Sequence, residues 1–151
     1  MSQWKSADEI LDFAIGNEEK AVEFYTYLAD QADSSAMKKV FEGFAREEEG
    51  HKAKLLAVKQ SKQLQPAAQE VLDLKIGDYL VASDPGEDLD YQGALILAMK
   101  QEKAAFKLYT DLAAATSDPN LRDLLTGLAQ EEAKHKLRFE VEYDDHILTE
   151  N

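Results

Sequence analysis

One segment of this chain is written twice. Displaced by 84 positions, Ile10–Leu55 aligns without a gap on Ala94–Phe139, and 14 of the 46 pairs are identical. The pairs include Ala14/Ala98, Glu18/Glu102, Ala21/Ala105, Tyr25/Tyr109, Leu28/Leu112, Gly43/Gly127, Glu48/Glu132 and His51/His135. Two copies are too few for a solenoid, in which stacked neighbours build a continuous core. The duplicated unit must instead be a hairpin, because each copy carries two helical patterns separated by a short turn.

The patterns are amphipathic. Ser6-Ala-Asp-Glu9 is a capping box. From there Ile10, Leu11, Phe13, Ala14, Ala21, Phe24, Tyr25, Leu28 and Ala29 recur at helical spacing and predict a helix over 7–32. One of Ser34 and Ser35 caps the next helix, over 35–63, through Met37, Val40, Phe41, Phe44, Ala45, Leu55, Leu56 and Val58. Asp90 caps a third over 91–116, and Asp118-Pro119 opens a fourth over 119–143 with proline at the first helical position. That helix carries Leu121, Leu124, Leu125, Leu128, Ala129, Leu137 and Phe139.

Residues 64–90 form the connection, with a short helix near 67–74 and a loop signal at Ser83-Asp-Pro-Gly86. The polar tail 144–151 is expected to fray. The reading is one all-α domain over 1–151: a four-helix bundle of two duplicated hairpins joined by a long crossover. A helix of 28 residues is about 42 Å long, a distance such a connection can cover. A simple up-down bundle with a decorated loop is the alternative.

The identities are not confined to apolar positions. Each copy has a glutamate followed thirty residues later by Glu-x-x-His: Glu18 with Glu48 and His51, then Glu102 with Glu132 and His135. Residues three apart on a helix are about 60° apart around the axis and 4.5 Å along it, so both can reach one metal ion. Residues thirty apart across a short turn sit at similar heights in a hairpin. All six side chains can therefore meet at one level of the bundle. Four carboxylates balance two divalent ions with the imidazoles neutral, so the filled site can be buried. Empty, it clusters four carboxylates and takes up protons or costs stability. Two of the three histidines follow a glutamate by three, which a merely solvated helix face does not explain.

Tyr25 and Tyr109 lie seven residues after Glu18 and Glu102, nearly two turns on, and share their faces. They are either core aromatics with satisfied hydroxyls or groups that donate to a ligand carboxylate or pass an electron. Glu47 and Glu131 repeat as well but sit beside the ligands and should point elsewhere. His146, flanked by Asp144 and Asp145, reads as a surface residue, and Trp4 as a packing anchor.

Composition narrows the function. The formal charge is −13, from 17 Lys and Arg against 30 Asp and Glu. That disfavours general affinity for nucleic acid or anionic membrane. The chain contains no cysteine, which removes thiol nucleophiles, disulfides, Cys-ligated zinc and iron–sulfur clusters. No signal peptide or membrane-spanning run is visible, so a cytoplasmic protein is expected.

Ala14-x-x-x-Glu18-x-x-Ala21-x-x-Phe24-Tyr25, with Glu48-x-x-His51 and the second copy, resembles the rubrerythrin-like branch of the ferritin-like superfamily. The resemblance covers about residues 8–143 and implies a four-helix bundle with a non-haem di-iron centre. Its ligands would be Glu18, Glu48, His51, Glu102, Glu132 and His135. Iron or manganese suits such ligands, and zinc would bind without redox chemistry. The resemblance also implies reduction of hydrogen peroxide and a homodimer, sometimes with exchanged hairpins.

Two departures matter. With no cysteine there is no rubredoxin-like iron centre, so electrons must come from a separate donor such as a rubredoxin. Ala105 stands where rubrerythrins carry an extra glutamate. The leading expectation is a di-iron peroxidase. The alternatives are oxidation of ferrous iron by dioxygen or peroxide for storage or detoxification, and a non-catalytic metal-binding module.

Overall fold

The computed structural model describes residues 4–81 and 90–150, with side chains to residue 146. The loop expected at Ser83–Gly86 lies outside the described residues. All regular structure among the described residues is helical. The described residues divide into two compact units, 4–74 and 75–150. The boundary falls in the connection between the two copies of the repeat.

The first unit holds α1 (Ala7–Gln31), α2 (Ser35–Ser61) and the short α3 (Ala68–Leu72), the last preceded by a 3-10 turn at Gln65–Ala67. Helix α1 starts where Ser6 Oγ accepts from the Glu9 amide at 3.1 Å. Glu9 reaches back to accept from the Lys5 amide at 3.4 Å. Helix α2 starts where Ser34 Oγ accepts from the Met37 amide at 3.1 Å. It stops at Lys62, which adopts a left-handed conformation (φ 59°). Ile10, Leu11, Ala14, Tyr25 and Leu28 of α1 are buried with Phe41, Leu55 and Val58 of α2. Trp4 anchors the entry to α1, its ring 5.2 Å from that of Phe13 in an edge-on contact. Leu64, Ala67 and Val71 are buried from the segment beyond α2.

The second unit holds α4 (Tyr91–Ala115) and α5 (Pro119–Glu150), preceded by a 3-10 turn at Ile76–Tyr79. Asp90 Oδ1 caps α4, accepting from the Gly93 amide at 2.7 Å. Asp118 Oδ1 accepts from the amides of Asn120 and Leu121 ahead of α5. Arg122 Nη2 ties the turn by donating to the Thr116 carbonyl at 2.8 Å. Ala94, Leu95, Ala98, Leu108, Leu112, Leu121, Leu125, Leu128 and Phe139 form the core of this hairpin. Tyr79 is buried, and its hydroxyl donates to Asp111 at 2.8 Å.

Three expectations are corrected. Helix α5 does not end near Tyr143 but continues to Glu150. Contacts with the start of α4 hold its last described turns: the Tyr91 hydroxyl donates to Glu142 at 2.8 Å, and Gln92 donates to the Tyr143 hydroxyl at 3.4 Å. His146 is therefore helical and half-buried, not a residue of a frayed surface tail. Its ring lies 5.2 Å from that of Tyr91 in an edge-on contact. Leu56 and Leu137 carry the apolar pattern but are exposed, Leu137 at 62%. Each follows a buried position by two residues or fewer, which turns it away from the core. No helix among the described residues is long and apolar enough to cross a membrane.

Candidate metal centre

Each unit builds its own triad. In the first, Glu18 comes from α1, and Glu48 and His51 from one face of α2. His51 Nδ1 lies 3.6 Å from Glu18 Oε2 and 3.5 Å from Glu48 Oε1. In the second, His135 Nδ1 of α5 lies 3.6 Å from Glu102 Oε2 of α4 and 3.7 Å from Glu132 Oε1 of α5. All six residues are at most 2% exposed. Within each triad, ligand atoms of all three residues lie within 4.8 Å of one another.

This burial is unusual chemistry. Ionised carboxylates stay in a protein interior only when paired or bound to a cation. The separations also fit a metal. First-row divalent ions hold nitrogen and oxygen at roughly 2.0–2.2 Å, so two ligands about 110° apart lie about 3.5 Å from each other. A direct hydrogen bond between these atoms would be nearer 2.9 Å. The donor set, two hard carboxylate oxygens and one imidazole nitrogen per triad, suits iron, manganese or zinc.

Burial dominates the electrostatics of Glu102. It raises the carboxyl above its ordinary value, and the neighbouring His135 pulls the other way. Without a cation, Glu102 thus holds its proton to a higher pH than an ordinary glutamate does.

The other repeated residues separate by environment. Tyr25 and Tyr109 are both buried. The Tyr25 ring packs edge-on against Phe44 at a centroid distance of 6.2 Å. Glu47 is exposed and Glu131 half-buried, each outside the set of converging ligand atoms. Ala105, one turn after Glu102, is half-buried and offers no ligand.

Sequence reasoning did not single out the charges beside the triads. Lys52, next to His51, donates to Glu19, next to Glu18, at 3.2 Å across the first hairpin. The 33-residue spacing of that pair matches Glu18 and His51, which is the signal that could have found it. In the second copy the corresponding residues are Lys103 and Lys136, both basic. Lys136 turns to Glu140 within α5 instead, at 3.1 Å.

Comparison with known proteins agrees with the geometry. The rubrerythrin family model matches residues 9–143. No curated protein sequence matches significantly. A solved structure from Thermotoga maritima, described as a candidate ferritin-like di-iron-carboxylate protein, is 21% identical. It superposes with a TM-score of 0.76 over 93% of this chain and 96% of that one. A hypothetical protein of Pyrococcus furiosus is 24% identical, with a TM-score of 0.68 over 89% of this chain and 86% of that one. These likenesses establish the ferritin-like fold, and the match over residues 9–143 places the chain in the rubrerythrin family.

Proposed function

We propose that this chain is a non-haem di-iron protein that reduces hydrogen peroxide with electrons from a separate donor. The observation that carries the reading is the duplicated, buried Glu/Glu-x-x-His triad in a member of the rubrerythrin family. The Thermotoga maritima protein of the same fold is described as a candidate ferritin-like di-iron-carboxylate protein, which supports the di-iron part of the reading.

Glu18, Glu48 and His51 would hold one ion, and Glu102, Glu132 and His135 the other. Two carboxylates in each triad balance one divalent cation, so each loaded triad carries no net charge into its interior. Bound iron would supply, in its ferrous form, the two electrons that convert one hydrogen peroxide and two protons into two waters. The protein's part is positioning. The imidazoles would bind through Nδ1, the atom that faces the carboxylates in both triads. Surrounding apolar side chains such as Ala14, Leu55, Ala98 and Phe139 keep bulk water from the ligands. Tyr25 and Tyr109 would donate from their hydroxyls to ligand carboxylates and fix their orientation.

Ala105 favours a second reading, because it leaves six ligands without the extra glutamate of rubrerythrins. The site would then oxidise ferrous iron for storage or detoxification. Stopped-flow absorption of the anaerobic ferrous protein, mixed separately with peroxide and dioxygen, tests the two. Faster oxidation by peroxide at equal concentration is expected. Equal rates, or faster oxidation by dioxygen with iron accumulating in a large assembly, would overturn the peroxide reading.

A further inference from the structure

We propose that the outer face of α4 is the docking surface for the protein that donates electrons to this site, a small electron-transfer protein with an acidic rim. The inference rests on the peroxide-reducing reading above. A pocket of about 570 Å³ lies on the second unit, against α4 and the segment that follows the 3-10 turn. Leu80, Val81, Ala104 and Phe106 form its apolar wall, and three lysines, Lys100, Lys103 and Lys107, line it together with two aspartates, Asp78 and Asp111. Leu80 is 60% and Phe106 41% exposed.

Comparison of the two copies of the repeat makes this face distinctive. Beside the first triad, Glu19 and Lys52 close the hairpin surface with a salt bridge. In the second copy lysine replaces the glutamate, at Lys103, and Lys136 bonds to Glu140. Lys100 and Lys103 therefore have no ion-pair partner among the described residues. Lys107 is held in place, bonded to Asp111 at 3.0 Å and set over the Tyr79 ring at 5.7 Å. Three lysines against Asp78 and Asp111 leave a partly apolar patch with one net positive charge, on a chain of formal charge −13. An acidic partner is repelled by most of such a surface and attracted to this part of it. Electron-transfer complexes are small and transient, and a single apolar pocket with a charged rim suits them.

The face also lies close to the ligands. Lys100, Lys103 and Lys107 follow one another at spacings of three and four, and with Ala104, four after Lys100 and three before Lys107, form a stripe along α4. Glu102 lies on the other side of the same helix, so the stripe and the ligand are separated by about one helix diameter, roughly 10–12 Å with side chains. Phe106, one turn after Glu102, lines the pocket from the flank of the helix nearer the ligand. Each peroxide consumes two electrons and two protons to give two waters, so two molecules of a one-electron donor are oxidised per peroxide.

Calorimetric titration of the iron-loaded protein with a small acidic rubredoxin at low ionic strength tests the surface. The variant K100E/K103E should bind at least tenfold more weakly than wild type. The control K38E/K39E carries the same charge change on exposed lysines of α2 and should lose less than threefold. Phe106→Ser should weaken binding as well, and added salt should weaken it in the wild type. Single-turnover oxidation of chemically pre-reduced protein by peroxide should be unchanged in both lysine variants. Failure of that step in the wild type would refute the peroxide reading, leaving the titration to decide the docking face. Equal weakening in the two lysine variants, or no binding by the wild type, would overturn the docking face. So would concentration-dependent self-association abolished by the same substitutions, which would assign the face to a second copy.

Discussion

Replacing Glu102 with glutamine should push the metal-free and metal-loaded proteins in opposite directions. The side chain is 2% exposed, and burial holds its carboxyl above the ordinary range. Glutamine keeps the shape and removes the charge. Replacing buried ionic groups by neutral ones of similar volume is neutral or stabilises by up to about 1–4 kcal/mol, provided no partner is left charged and unpaired. Here His135 at 3.6 Å offsets part of the penalty, so about 1–2 kcal/mol is the working figure. For a chain of this length 1 kcal/mol moves Tm by about 2–4 °C, so metal-free Glu102→Gln should melt about 2–8 °C above metal-free wild type.

The difference should depend on pH with a definite sign. A carboxyl whose folded pKa is raised binds more protons folded than unfolded. Its stabilising contribution is full below the unfolded value and is lost as pH rises through the folded one. Metal-free wild type should therefore weaken relative to Glu102→Gln on going from mild acid to neutral pH, and the two should converge in acid. With iron bound the order reverses, because glutamine removes an anionic ligand and with it part of the stabilisation that metal gives the folded state. Differential scanning calorimetry with and without chelator, at several pH values, reads both signs. A variant less stable than wild type in both states at neutral pH would refute the argument that the carboxylate is held against its own desolvation.

Iron-reconstituted wild type should contain two ions per chain by elemental analysis, and His51→Ala should retain about one, since the other triad keeps all three ligands. Chelation near neutral pH should lower the wild-type Tm, because the four carboxylates lose their counter-charge. Asp90→Ala removes the cap bond to the Gly93 amide. It should cost about 1 kcal/mol in urea denaturation, with an unchanged slope, as expected of an exposed N-cap.

The sequence exposed the local features of this protein and the chemistry they imply. The starts of α1, α2, α4 and α5 could be read because Ser6, Ser34, Asp90 and Asp118 cap them within three residues, a signal that needs no tertiary context. The candidate ligands could be read because duplication wrote Glu and Glu-x-x-His twice, at spacings that helical geometry turns into shared faces. The tertiary structure decided what depends on partners distant in the chain. Helix α5 runs on to Glu150, with side chains 51 residues apart holding its later turns to the start of α4. Tyr79 is buried because Asp111, 32 residues away, accepts its hydroxyl. The sequence shows lysine at both 52 and 136. Only packing shows that Lys52 reaches Glu19 across its hairpin and Lys136 reaches Glu140 within its own helix, because a lysine pairs with whichever carboxylate the fold brings within reach.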